Sequence, residues 1–100
     1  MVVVVARVRV RAGRHEEFIR AAREVARPTR EEPGCHVYRI HQDIEDPDAF
    51  VFVEEWSAQA DLDRHFETPH VKRFVAALPD LLSAPAELKI HEVARTTVGD

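Results

Sequence analysis

The side chains best suited to chemistry lie in one stretch, Ala49 to Phe74 (AFVFVEEWSAQADLDRHFETPHVKRF): Glu54, Glu55, the single tryptophan Trp56, His65 and His70. Histidine titrates near neutrality, so His65 could take a proton from a hydroxyl or hold an oxyanion. Side chains in a strand repeat every second residue, which puts Glu54 on the face of Trp56, Phe52 and Phe50 and turns Glu55 away. Glu54 is therefore the carboxylate expected to orient His65 or a ligand hydroxyl. Buried unpaired it would be costly, so a partner is expected, either Arg39 or an arginine of the first strand. The bland readings are core packing for Trp56 and His65, ion pairing for Glu54, and a solvent-facing or capping role for His70. His70 follows His65 by five positions with Pro69 between them, a poor spacing for two metal ligands on one helix. No HxxxH or CxxC occurs, so no metal is expected; nor does any GxSxG, Walker or GxGxxG pattern.

The elements that must position these residues follow from periodicity. Val2 to Arg11 alternates as a strand, and Gly13 marks the turn out of it. Arg14 to about Arg27 reads as a helix burying Phe18, Ala21, Ala22, Val25 and Ala26, with a kink or fraying at Pro28 and a stop at Pro33-Gly34. Cys35 to Gln42 is a second strand, with Cys35, Val37, Arg39 and His41 on one face and His36, Tyr38, Ile40 and Gln42 on the other. Asp46-Pro47-Asp48 turns the chain into a third strand, Ala49 to Trp56. Ser57 is the expected N-cap of a short helix to about Glu67, and Pro69 suits the start of the next. That helix carries Val71, Phe74, Val75, Leu78 and Leu81 or Leu82, and Pro79 and Pro85 bound its end. Ala86 to Arg95 is the last strand, and residues 96–100 are a loose tail after a single domain over 1–95.

Strand, helix, strand, strand, helix pair, strand is the ferredoxin-like βαββαβ order, an α+β fold with a four-stranded antiparallel sheet and helices on one face. Strand three is apolar on both faces, with Phe50 and Phe52 against Val51 and Val53, and strand one is so over its first half. An uncovered apolar face of this kind marks an interface, so a homodimer stacking two bare sheet faces is expected.

One hundred residues make one domain, and a net charge of −4 with arginines scattered among acids shows no basic stripe, so nucleic acid is not an expected partner. Cys35 is the only cysteine, a small buried filler that fits a reducing interior. MVVVVA is too short for a signal peptide or a membrane span; no membrane partner is expected, and the expected location is the cytoplasm.

Three segments together, Glu31 to Tyr38 (EEPGCHVY), Phe52 to Trp56 (FVEEW) and His65 to Phe74 (HFETPHVKRF), resemble the antibiotic biosynthesis monooxygenase domain, in particular its small bacterial quinol monooxygenase branch. The likeness covers roughly residues 2 to 93. It implies a dimeric α+β barrel with a pocket between sheet and helices in each subunit. It also implies oxidation of phenolic or quinol-type aromatics by molecular oxygen without metal, flavin or other cofactor, the substrate's own carbanion reducing the oxygen. Several oxygenases of this superfamily carry an asparagine near the start of strand one or in the pocket. This chain has no asparagine, so any amide-dependent oxygen step would have to use other donors.

The expected function is thus a cofactor-independent monooxygenase acting on a small quinol or phenol-like aromatic. His65, Glu54 and Trp56 are the catalytic candidates, and Tyr38, Phe52, Phe66, His70 and Phe74 the substrate-contacting ones. Two alternatives stand beside it: an isomerase or proton-transfer enzyme on a small phosphorylated or carbonyl compound, and a non-catalytic dimeric module that binds an aromatic or haem.

Overall fold

The computed structural model describes residues 1–100. The chain forms β1 (Val2–Arg9), α1 (His15–Arg30), β2 (Cys35–Gln42), β3 (Ala49–Trp56), α2 (Gln59–Phe66), α3 (Pro69–Leu81) and β4 (Glu87–Glu92). The four strands pair antiparallel in the order β2-β3-β1-β4, and the three helices lie on one face. The ferredoxin-like expectation holds. No helix is long and apolar enough to cross a membrane.

The alternation in β1 and β3 decides which face is covered. Val2, Val4, Ala6 and Val8 are buried beneath the helices, opposite Trp56, Glu54, Phe52 and Phe50 of β3. Val3, Val5, Val51 and Val53 face the other way and stay half-buried in the single chain. From α1, Phe18, Ala22, Val25, Ala26 and Thr29 close the main core. Full burial of Phe18 contributes about 2 kcal/mol.

Several boundaries differ from the sequence expectation, each for a local reason. α1 continues through Pro28 to Arg30, because the donor that proline lacks costs only one bond in the last turn. Thr29 donates its hydroxyl to Val25 O at 2.6 Å in that turn. Pro79 likewise lies inside α3 rather than at its end. Ser57 is not the cap of α2; Ala58 holds that position, and Ser57 Oγ instead meets His36 Nε2 at 2.6 Å. β1 stops at Arg9, leaving only a bridge from Val10 to Leu82, and β4 is shorter than expected. The helices do not reach across β4: Leu88 and Ile90, on its helix side, remain 49% and 43% exposed. Val75, expected in the buried stripe of α3, is also exposed.

A bulge in β2 matters for the site. The register shifts between Cys35 and Val37, with His36 as the extra residue. Cys35 therefore sits opposite Trp56 and packs with the core, on the face of Tyr38, while His36 is exposed. The expected pairing of His36 with Tyr38 on one face fails for this reason.

Candidate active site

The site lies where the end of β3 meets α2, the start of α3 and the loop after α1. Cross-strand register sets its floor: Tyr38 and Val4 flank Glu54, and Cys35 and Val2 flank Trp56. Trp56 is fully buried, and its indole Nε1 donates to Glu54 Oε1 at 3.0 Å. No arginine pairs with Glu54, contrary to expectation. Arg39 starts on the other face of β2, and the indole N–H takes the role instead. Burial pushes the Glu54 carboxyl up to about 7, with Glu32 adding to the rise and the Trp56 hydrogen bond opposing it.

α2 turns His65 inward, where it is 2% exposed. Its ring stacks obliquely on Trp56 at 4.7 Å between centroids and meets the Tyr38 ring edge-on at 5.6 Å. The carboxylate that orients it is not Glu54 but Glu32. Glu32 Oε2 accepts from His65 Nδ1 at 2.8 Å and from His70 Nε2 at 2.7 Å. A carboxylate oxygen only accepts, so His65 carries its proton on Nδ1 and leaves the Nε2 lone pair free. Burial lowers the His65 pKa, and the Glu32 contact opposes that fall. The imidazole is thereby held neutral and basic.

Glu32 is the residue that sequence reasoning missed. Its signal is the Glu31-Glu32-Pro33-Gly34 run, which the sequence presents as a helix stop and as part of the family likeness, with no role for Glu32 itself. Gly34 has φ +81°, and a Cβ there would lie 2.3 Å from Asp61 Cγ. This glycine lets the loop press against α2, and Ser57 N donates to Gly34 O at 2.8 Å to fasten it.

Three polar atoms have no protein partner: His65 Nε2, the Tyr38 hydroxyl and the second oxygen of Glu54. No fully buried side-chain nitrogen or oxygen in the chain lacks a partner, so each of these reaches accessible surface. Together they are a base, a donor and a carboxyl near its midpoint at neutral pH. Burial, with Glu54 next, drives the Tyr38 pKa far up, so the hydroxyl stays protonated. Cys35 is pushed up to about 11 by burial, which keeps it a thiol and no nucleophile.

The structure groups the remaining candidates less tightly. Phe52 packs edge-on against Tyr38 at 6.1 Å, and Phe74 lies 5.7 Å from Phe52. Phe66, 38% exposed and 5.7 Å from His65, forms the rim. His70 reaches the site through Glu32, while His70 and Phe74 also line a recess of about 140 Å³ between α1 and α3. The expected open slot against Trp56 is absent in the single chain, since His65 covers the indole.

Spacing in sequence argued against a metal, yet folding brings ligand atoms of Glu32, His65 and His70 within 4.8 Å of one another. These three residues could hold a divalent transition ion if both imidazoles gave up their bonds to Glu32. As they stand, the two short N–H···O contacts are hydrogen bonds.

Residues 1–77 match the model of the antibiotic biosynthesis monooxygenase family, and the chain belongs to that family. It is 41% identical over 95 residues to the uncharacterized protein sll1783 of Synechocystis sp., covering 95% of this chain. The chain spans 65% of the length of that relative. It is 30% identical over 88 residues to YgiN of Escherichia coli, provisionally named a quinol monooxygenase, covering 78% of this chain and 85% of YgiN. A solved structure of a Nitrosomonas europaea protein, provisionally assigned as an antibiotic biosynthesis monooxygenase, superimposes with a TM-score of 0.90 at 26% identity, covering 95% of this chain and all of that one.

Proposed function

We propose that the chain is a cofactor-independent monooxygenase acting on a quinol or phenol-like aromatic. The observation that supports this is the set of three unpartnered polar atoms, His65 Nε2, Tyr38 Oη and a Glu54 oxygen, among aromatic side chains. His65 Nε2 takes the phenolic proton, and Glu32 steadies the imidazolium through Nδ1. Tyr38 donates to the oxyanion. The electron-rich ring carbon forms a bond to molecular oxygen, giving a peroxide. Protonated Glu54 delivers the proton that lets the O–O bond break. The ring ends as a quinone bearing one new oxygen, the second oxygen leaves as water, and all four electrons come from the substrate. The ligand enters past Phe66. The quinol substrate follows the name of YgiN and the aromatic enclosure.

The protein works as a homodimer in the cytoplasm in this reading, its half-buried Val3, Val5, Val51 and Val53 stacked on a second copy. Oxygen consumption with a panel of hydroquinones, on chelator-treated protein, tests the activity. A panel that leaves the oxygen trace flat removes it. An isomerase reading is favoured by one feature, the pairing of a neutral base with a carboxyl of pKa about 7, which moves protons without oxygen. Turnover of a carbonyl compound under anaerobic conditions would select that reading.

A further inference from the structure

The scattered arginines of the sequence gather in space. α1 and the β2 edge enclose a groove of about 510 Å³, a volume suited to a small ligand. Its accessible apolar lining is the half-buried Ile19 and Ile40, laid over the buried rings of Phe18 and Phe50. Its walls carry Arg23, Arg27 and Arg30 from α1 and Arg39, which reaches round the sheet edge from the other face. None of the four makes a carboxylate contact within 4.0 Å, although Arg9 and Arg14 pair with Asp46 and Glu17. Arg30 is fixed by its Nε–H to Tyr38 O at 3.0 Å, which leaves its terminal nitrogens free.

Four like charges held round one apolar groove repel one another, and an anion placed among them relieves that repulsion. Guanidinium groups bind carboxylate, sulfonate and phosphate through paired N–H donors. We propose that this groove binds a soluble anionic amphiphile, an aromatic or short aliphatic body against Ile19 and Ile40 with its acid group among Arg23, Arg27 and Arg39. The site is separate from the one at His65: neither His65, Glu54 nor Trp56 lines it. A nucleic-acid strand fits less well, because Glu16 and Glu24 flank the same arginines along α1 and the floor aromatics Phe18 and Phe50 are buried rather than offered for stacking. A membrane surface fits less well because the apolar part lies at the bottom of a concavity.

The probe is 8-anilino-1-naphthalenesulfonate, with neutral N-phenyl-1-naphthylamine as its uncharged counterpart. The sulfonate should bind the full chain far more tightly than the amine. Arg27→Gln/Arg39→Gln should weaken sulfonate binding by about tenfold or more and leave the amine unchanged. Arg11→Gln, on a different apolar groove between α3 and the residues leading into β4, should change neither. The four arginines are exposed, so the double variant should keep its melting temperature; should it unfold, wild-type binding at about 0.5 M salt must still weaken. Equal affinity for sulfonate and amine would overturn the proposal. So would a folded double variant with wild-type affinity, or arginine-dependent binding to oligo-dT or phosphatidylglycerol vesicles that outcompetes the sulfonate.

Discussion

Glu32 and His65 are 33 positions apart in sequence, yet Glu32 Oε2 lies 2.8 Å from His65 Nδ1, both groups largely shielded from water. This contact fixes the tautomer that makes Nε2 a base. Everything proposed about proton transfer follows from it.

Glu32→Gln keeps the side chain's shape but weakens both histidine contacts and removes the charge that steadies an imidazolium. Turnover should fall about 10- to 10²-fold with little change in melting temperature. A pH–rate profile separates a positioning role from mere packing: the acid limb should move to lower pH in the variant, because the contacts that raise the His65 pKa are weakened.

Glu54 gives a stability signature. Its carboxyl is raised from 4.5 to about 7, so between those pH values the folded chain binds a proton that the unfolded chain has lost. Its contribution is complete below pH 4.5 and is lost as pH rises to 7, a swing of about 3 kcal/mol. Glu54→Gln still accepts from the Trp56 indole. It should match the wild type near pH 4.5 and exceed it in denaturant melts at about pH 8. Parallel stability curves at both pH values would contradict this.

His65 works in the opposite direction. Its pKa is lowered by burial, so the unfolded chain takes up a proton below its ordinary 6.5 before the folded chain does. Stability from this residue is lost as pH falls through that window. With the Glu54 swing removed in Glu54→Gln, unfolding free energy should rise with pH up to about 6.5, and adding His65→Gln should flatten that slope.

Tyr38→Phe retains the ring contacts to Phe52 and His65 and loses only the hydroxyl donor. A loss of about 10²-fold in kcat with little change in KM is expected if the hydroxyl meets the developing oxyanion. A change confined to KM would assign it to ground-state binding.

Gly34→Ala should cost about 1–3 kcal/mol in chemical denaturation, from the left-handed φ and the clash with Asp61. It should also lower turnover by displacing Glu32. Adding Asp61→Ala should recover part of the stability, because it removes the two closest contacts, with Asp61 Cγ and Oδ2, but leaves the Asp61 Cβ at 2.8 Å and the backbone strain.

Periodicity made the sheet and helices legible. Phe50 to Trp56 alternates so plainly that β3 and the face shared by Glu54 and Trp56 emerged with their boundaries intact. The inward turn of His65 also followed from its spacing with Leu62. Glu32 was hidden because its role depends on a left-handed turn at Gly34 and on a distant helix, neither visible in a local pattern. Cys35 and His36 exchanged places because a bulge shifts register without any hydrophobic signal. The arginine groove was invisible for the same reason: Arg39 approaches α1 only once the strand edge is built beside it.

The most direct test is turnover of a hydroquinone under ¹⁸O₂ by the wild type and His65→Ala. The account predicts one labelled oxygen in the quinone product and one in water, with the rate in His65→Ala lower by about 10²–10⁴-fold. Unlabelled product, or a His65→Ala protein that turns over like the wild type, would contradict it.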